Sequence, residues 1–315
     1  MIPLESILAA RSRVYEAAIR TPLVRLNYED APGEIYLKLE SLQPIGSFKI
    51  RGAYNAIAQL SPEARAQGVW TVSAGNAAQG VALSARLLGI DCGVLVMDTA
   101  PAAKLDAIRR LGATITKASF DECWTALTER QHPQFRGTFV HPFDDDDFIA
   151  GNATIGLEIL EDLPDVTAVV ASYGGGGLSC GIASAMAGMK TDVKVYAAEP
   201  ETAAPLHLSF LKGSPQKFPE WKASWVDGCG GKSVFPEMWA LAGRLLAGSI
   251  VSSLEQIRQA MKIVAMRNHV ICEGAGACAV AGGLSGKAGS GKIVCIVSGG
   301  NIDLGKFAEL TGASL

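Results

Sequence analysis

The lysine in Gly46-Ser-Phe-Lys49-Ile-Arg-Gly52 is the side chain whose setting most favours chemistry. A lysine usually lies on the surface, but the neighbours Phe48 and Ile50 indicate an apolar setting. The pattern also predicts a helix that starts at the lysine. Desolvation near a helix N-terminus lowers the pKa of a lysine, which makes the amine a better nucleophile and Schiff-base former. Lys49 is therefore a candidate for covalent chemistry with a carbonyl group.

Two segments rich in small residues follow predicted strands and could bind an anion. They are Ser73-Ala-Gly-Asn-Ala-Ala-Gln-Gly80 and the run Gly174–Gly177. Small residues leave main-chain N–H groups free to point at an anion, helped by the dipole of the following helix. A plain strand-to-helix turn explains the first segment equally well, but four glycines lose much backbone entropy on folding. The glycine run lacks the Lys-Ser/Thr pair of a Walker A loop, and Ser179 occupies the third glycine position of the dinucleotide fingerprint. A phosphate cradle of backbone amides is the favoured interpretation.

A fourth feature is Ser298-Gly-Gly-Asn301, which follows the last predicted strand and is preceded by Cys272-Glu273-Gly-Ala-Gly. The carboxyl ends of parallel strands line the ligand crevice of an α/β sheet, so Ser298 could lie beside a planar ligand. The plainer alternative is a turn into the next helix. One cofactor that bears an aldehyde and a phosphate could bind to all four features: the reactive lysine, the loop of backbone amides, the phosphate-binding glycine run and the serine hydroxyl. The four features predict pyridoxal 5'-phosphate.

Two stretches of alternating strands and helices are predicted to position these residues. Residues 68–142 predict a compact βαβαβ-type block, and a second set of strands and helices runs from about residue 152 to residue 310. Both stretches indicate parallel sheets covered by helices. Residues 205–231 predict an irregular region with a short helix. The acidic run Asp144–Asp147 predicts a solvated turn or a helix start.

Composition excludes several classes of function. The 315 residues are 49% hydrophobic and 19% charged, which assures a core and excludes disorder. A net charge of −3 does not favour binding to nucleic acid or to an anionic membrane. No stretch of the sequence is apolar enough to span a membrane. Seven scattered cysteines predict reduced, buried thiols in a cytoplasmic protein. Four isolated histidines make no metal-ligand pattern.

In this order, the motifs resemble those of the fold type II (tryptophan-synthase-β-like) pyridoxal-phosphate enzymes, in particular the threonine/serine dehydratase–serine racemase group. The similarity runs from Thr21-Pro22-Leu23 to Ser298-Gly-Gly-Asn301. It implies an α/β fold of two three-layer α/β/α domains with mostly parallel sheets. Residues 1–60 and 145–315 would form a discontinuous large cofactor-binding domain. Residues 61–144 would form a small mobile domain that carries the substrate-carboxylate loop and excludes water when it closes.

The resemblance also implies a role for each matching residue. Lys49 would hold the cofactor as a Schiff base, and Phe48 would pack against its ring. Asn76 would bond the 3-hydroxyl, Ser298 would face the pyridine nitrogen, and Glu273 would lie beside the ring. The cofactor's phosphate would accept hydrogen bonds from the amides of Gly174, Gly175, Gly176, Gly177 and Leu178. The substrate's carboxylate would be held by the loop of Ser73, Ala74, Gly75, Asn76 and Ala77.

The implied reaction is a dehydration that releases ammonia. A neutral hydroxyl at the pyridine nitrogen leaves the ring a weaker electron sink than a carboxylate would, which favours loss of a β leaving group over transamination. The expected enzyme is an ammonia-lyase for L-threonine, L-serine or a bulkier β-hydroxy amino acid, with Lys49 as the general base at Cα. The cofactor's phosphate would act as the acid for the leaving hydroxyl. The expected partners are a small amino-acid substrate and a second copy in a homodimer.

Other functions stay open at this point. An amino-acid racemase or a β-replacement enzyme of the same fold is the nearest alternative. Threonine synthases usually carry an acidic residue after the lysine, and Ile50 argues against that. A non-catalytic, cofactor-holding protein is disfavoured by the intact Lys49 and Ser298, and a nucleotide-binding module explains only the glycine run.

The loop at Ser73 departs from the group's usual Ser-Ser-Gly-Asn-His. Ala77 stands in place of the histidine, so a polar group near the substrate's side chain is lost. This change leaves the specificity for threonine open. Ala74 replaces the serine that acts as the second acid-base group in the racemases, so elimination without racemisation is expected.

Two further departures concern regulation and metal binding. The group's divalent-cation site combines a Glu, a main-chain carbonyl and an Asp. Glu199 and Ala203 fit the first two positions but Pro205 takes the third, so any cation site should be weak and none is assigned. The sequence ends at Leu315, and we expect no amino-acid-binding regulatory domain.

Overall fold

The computed structural model describes residues 1–189 and 192–312. Its strands are β1 (Leu23–Arg25), β2 (Glu34–Lys38), β3 (Val69–Val72), β4 (Cys92–Met97), β5 (Thr114–Ala118), β6 (Thr138–Phe139), β7 (Ala168–Ser172), β8 (Lys194–Pro200), β9 (Gly248–Ser252) and β10 (Lys292–Ile296). Its helices are α1 (Leu4–Val14), α2 (Lys49–Ala58), α3 (Pro62–Ala66), α4 (Asn76–Leu87), α5 (Ala102–Arg110), α6 (Phe120–Glu129), α7 (Asp146–Asp162), α8 (Gly177–Met189), α9 (Pro205–Lys212), α10 (Pro236–Leu245), α11 (Leu254–Asn268), α12 (Gly274–Leu284) and α13 (Leu304–Thr311).

The strands form two separate sheets. The six-stranded sheet has the order β1-β2-β10-β7-β8-β9 and is parallel except for the β1–β2 pair. The four-stranded sheet has the order β5-β4-β3-β6 and is parallel throughout. The predicted α/β class with mostly parallel sheets is confirmed.

Helices cover both faces of the six-stranded sheet. Successive side chains of a strand point to opposite faces, and Val169 and Val170 of β7 accordingly belong to different hydrophobic clusters. Val294 and Cys295 of β10 divide in the same way. Strands that are buried on both faces read as continuous apolar runs, which is why the sequence showed β7 and β10 so clearly.

The predicted block at residues 68–142 contains β3 to β6 with their helices, so its alternation was correct. The acidic run begins α7: the Asp145 carboxylate accepts a hydrogen bond from the N–H of Phe148 at 2.8 Å and caps the helix. The proposed domain bounds, and the mobility of the smaller domain, stay predictions. Among the described residues, no helix combines the length and the apolar character needed to cross a bilayer.

Candidate active site

A cavity of about 440 Å³ lies where the carboxyl ends of β3, β7 and β10 meet the N-termini of four helices. Ligands of parallel α/β sheets bind at such strand ends. Every residue that was predicted from the sequence to have a site role lines this cavity. They are Phe48, Lys49, the loop Ser73 to Ala77, Gly174 to Gly177, Leu178, Glu273 and Ser298. The roles themselves stay predictions, but the structure brings the residues together.

Lys49 is the first residue of α2, as its motif predicted. Its amine donates a hydrogen bond to the carbonyl of Pro142 at 2.5 Å and lies 5.1 Å from the centre of the Phe48 ring. Burial lowers the pKa of Lys49 from 10.5 to about 8. The N–H of Phe48 donates to the carbonyl of Ser298 at 3.0 Å, which ties this end of α2 to the end of β10. The fold thus holds an amine that loses its proton easily in the cavity that Ser298 also lines.

A buried network of charges holds α2 in place. The guanidinium of Arg51 donates to both carboxylate oxygens of Glu40, at 2.8 Å each, and its Nη1 lies 2.6 Å from Glu158. The ammonium of Lys38 lies 2.6 Å from the same Glu158 carboxylate. Burial alone would raise the pKa of Glu158, but Arg51 and Lys38 outweigh it and hold that pKa below its ordinary value. Two cations and two carboxylates balance, so the network positions Lys49 without an unpaired buried charge.

The glycine run forms a tight loop between β7 and α8. A Cβ at Gly175 would lie 2.1 Å from the Phe143 ring, and Gly176 has a φ of +96°, which other residues rarely adopt. The first N–H groups of α8 have no partner within the helix, and its dipole favours an anion there. The loop therefore presents backbone donors to the cavity and fits a phosphate group.

Asn76 connects the two halves of the cavity. Its Nδ2 donates to Glu273 Oε1 at 2.8 Å, and its Oδ1 accepts from Asn301 Nδ2 at 2.7 Å. An amide nitrogen carries two hydrogens, so a second donor remains for a ligand. Burial raises the pKa of Glu273 to about 7, and the charge of Asp227 adds to this effect.

The loop Ser73 to Ala77 leads from β3 into α4, which begins at Asn76. The hydroxyl of Ser73 accepts a hydrogen bond from the N–H of Gly75 at 3.1 Å. Ala74 and Ala77 both line the cavity. Backbone N–H groups at this helix start suit a carboxylate, and the methyl groups supply no further polar atom.

Several residues that line the cavity were not predicted from the sequence to have a role. Lys104 of α5 and Asp227 form an ion pair across the cavity. Asn301 belongs to a motif that the sequence singled out, but its hydrogen bond to Asn76 joins positions 225 residues apart. The sequence feature that could have identified Asn301 as a site residue is its place after the last strand, on the same sheet edge as Ser298. No local pattern pointed to Lys104 or Asp227.

Glu199 belongs to β8, and its carboxylate lies at the N-terminus of α9. Its carboxylate accepts hydrogen bonds from the N–H groups of Leu206 and His207 at 2.8 Å each and from the Ser249 hydroxyl at 2.5 Å. Burial raises its pKa to about 7. Within the described ranges, no group of three or more His, Cys, Asp or Glu side chains could hold a metal ion. The weakness of any cation site here stays a prediction.

The residues in the cavity fit a cofactor that bears an aldehyde and a phosphate. The amine of Lys49 is available to the carbonyl, the glycine loop to the phosphate, and the Phe48 ring to a planar heterocycle. A lysine and a phosphate cradle on a two-sheet α/β fold define a class of enzymes that hold such a cofactor covalently.

Comparison with known proteins agrees with this class. Residues 14–299 match the family described as "Pyridoxal-phosphate dependent enzyme". The L-threonine ammonia-lyase of Thermotoga maritima is 40% identical over 320 residues, which cover 100% of this chain and 79% of that protein. The catabolic L-threonine dehydratase TdcB of Escherichia coli K12 is 37% identical over 319 residues, covering 99% of this chain and 96% of that protein. The structure of maize serine racemase superposes with a TM-score of 0.90 at 32% identity and covers 97% of this chain and 95% of its own.

The chain belongs to the pyridoxal-phosphate dependent enzyme family. Its cofactor is pyridoxal 5'-phosphate, and its fold is the fold type II, tryptophan-synthase-β-like fold.

Proposed function

We propose that this protein is a pyridoxal-phosphate-dependent ammonia-lyase of the threonine/serine dehydratase type. It converts a β-hydroxy amino acid to a 2-oxo acid and ammonia. The reaction is redox-neutral: water leaves from Cα and Cβ, and a water that adds back releases ammonia. Relatives named as L-threonine ammonia-lyase and dehydratase, 37–40% identical over nearly the whole chain, support this activity.

The observation that carries the proposal is the position of Lys49. Lys49 lines the same cavity as the glycine loop and Ser298, and burial lowers the pKa of its amine to about 8. The bound cofactor supplies an electron sink that acidifies the Cα–H of the substrate. Because the Lys49 amine can be neutral near pH 8, its Nζ can take the Cα proton as a general base.

The other cavity residues bind and orient. We assign the phosphate to the backbone N–H groups of Gly174 to Gly177 and Leu178, and the ring's hydroxyl to Asn76. Glu273 holds Asn76 in place, and Ser298 would face the ring nitrogen. The loop Ser73 to Ala77 takes the substrate's carboxylate. Closure of the smaller unit, residues 61–144, would exclude water.

Turnover of L-serine as well as L-threonine, a homodimer and a cytoplasmic location complete the proposal. The seven cysteines, all free and buried, are compatible with a reducing compartment. Sedimentation of the holoenzyme tests the dimer, and cell fractionation tests the location.

A racemase is the second candidate because a serine racemase shares the fold with a TM-score of 0.90. Ala74 argues against it. Racemisation needs an acid-base group on the face of Cα opposite the lysine, and a methyl group cannot carry a proton.

The decisive experiment incubates the holoenzyme with L-serine, L-threonine and bulkier β-hydroxy amino acids and measures 2-oxo acid and ammonia. We expect equal amounts of the two products, and no product from Lys49→Ala. Inversion of configuration without ammonia release would instead support the racemase.

A further inference from the structure

A second, smaller cavity of about 170 Å³ opens from the wall of the active site. The two cavities share Val72, Ser73, Ala74, Met97 and Leu127. The smaller one lies between the carboxyl ends of β3 and β4 and the helix α6. We call it the side pocket.

The side pocket is apolar. Its walls include the side chains of Val72, Leu95, Phe120, Trp124 and Leu127, and none of its described lining residues is charged. Met97, Phe120 and Trp124 are 39%, 46% and 40% exposed, although burial of such side chains is normally favourable. An exposed apolar concavity that adjoins a catalytic site is the signature of a surface that a ligand covers.

The position of the pocket matches the direction of a substrate's side chain. This step rests on the proposed function, in which the loop Ser73 to Ala77 holds the carboxylate and Lys49 faces Cα. The glycine loop and Ser298 then belong to the cofactor's side of the cavity. The wall that remains for the substituent on Cβ includes Met97 and Leu127, which also line the side pocket.

The size of the pocket indicates the size of the substituent. An engineered protein cavity of about 150 Å³, lined by Leu, Ile and Phe, stays dry and binds benzene. The side pocket, at about 170 Å³, has comparable room. The hydroxymethyl group of serine would leave it empty, and the methyl group of threonine would fill little of it.

We propose that the preferred substrates are β-hydroxy amino acids with a branched aliphatic or aromatic group on Cβ, and that the side pocket binds this group. A methylene gained in a hydrophobic pocket changes kcat/KM by about 10- to 200-fold. The holoenzyme should therefore turn over 3-phenylserine and 3-hydroxyleucine with a kcat/KM at least about tenfold above that for L-serine.

The test compares variants by the ratio of kcat/KM for 3-phenylserine to kcat/KM for L-serine, which cancels the active fraction. Cys123 lines the side pocket but not the main cavity. Cys123→Leu fills the pocket and should lower the ratio at least about tenfold. Trp124→Ala, which removes one wall, should lower it too and serves if Cys123→Leu fails to fold. Thr125→Ala, on the same helix but outside the pocket, should leave the ratio unchanged.

A binding measurement separates this inference from the proposed reaction. L-phenylalanine and L-alanine carry no β-hydroxyl, so they report binding without elimination. L-phenylalanine should raise the Tm of the holoenzyme more than L-alanine does, and Cys123→Leu should abolish the difference. Equal or better turnover of L-serine, or an unchanged ratio in both pocket variants, would overturn the side pocket's role. Absence of 2-oxo acid from every substrate would overturn the proposed function, and the Tm comparison would then decide on the pocket alone.

Discussion

Asn76 donates a hydrogen bond to Glu273 across 2.8 Å, although the two residues are 197 positions apart in the sequence. Asn76 begins α4, which packs against the four-stranded sheet, and Glu273 precedes α12, which packs against the six-stranded sheet. The bond therefore joins the two sheet units at the cofactor cavity. It fixes the Asn76 amide so that one N–H stays available to a ligand.

Substitution of Asn76 tests this arrangement. Asn76→Ala should raise the Kd for pyridoxal phosphate about tenfold, because one hydrogen bond to the ligand is lost and Glu273 loses its donor. Titration of the apoprotein with cofactor, followed by absorbance, measures the change. Asn27→Ala removes an exposed asparagine outside the cavity and serves as the control. Equal Kd values for the two variants would remove Asn76 from the cofactor site.

The buried charges around Arg51 should dominate the stability of this region. Arg51→Met leaves the carboxylates of Glu40 and Glu158 short of a partner and should lower the free energy of unfolding by about 3–5 kcal/mol. Arg109, whose pair with Asp106 is exposed, is the matched control. Arg109→Met should change stability by no more than about 0.5 kcal/mol. Urea denaturation of the apoproteins gives both values, and similar losses would contradict the network's role.

Ala74 should keep the enzyme from racemising its substrate. Positioned acid-base groups contribute about 10²–10⁴-fold, so elimination from L-serine should outpace inversion by about that factor. Ala74→Ser should raise the ratio of inversion to elimination at least about tenfold, whereas Ala77→Ser, in the same loop, should not. Chiral chromatography alongside a 2-oxo acid assay measures both products. Rapid inversion by the unaltered enzyme would refute the part given to Ala74.

The lowered pKa of Lys49 predicts how cofactor loading depends on pH. Only the neutral amine attacks the aldehyde, and its fraction rises with pH, with half present near pH 8. The rate at which the apoprotein binds pyridoxal phosphate should therefore increase up to about pH 9 and then level off. Stopped-flow absorbance gives the profile, with a lysine peptide as the reference for the cofactor's own titration. A midpoint near the ordinary pKa of 10.5 would mean that burial does not act on this amine.

The sequence predicted best what local patterns encode. Continuous apolar runs revealed β7 and β10, and small residues after strand ends identified the loops at Ser73 and Gly174. It did not anticipate α12, because a glycine- and alanine-rich helix buried on all sides has no polar face to create a period. The edge strand β9 and the helix α10 were also missed. β9 has only two strongly apolar residues, so its sequence carries little signal for a strand. Its position in the sheet is set by its pairing with β8.

The rest of the site depends on contacts that no local pattern encodes. Arg51, Glu40 and Glu158 look like surface charges in the sequence, since such residues are rarely fully buried. They are buried here because they neutralise one another. The side pocket is formed by α6 and the ends of two strands, and its presence follows from their packing rather than from any motif.

The attachment of the cofactor to Lys49 is the central claim, and one measurement tests it most directly. The purified holoenzyme is reduced with borohydride and digested, and mass spectrometry locates the phosphopyridoxyl label. The label should lie on the peptide that contains Lys49, with loss of the yellow colour, and Lys49→Ala should carry none. A label on another lysine, or a reducible bond that persists in Lys49→Ala, would contradict the assignment.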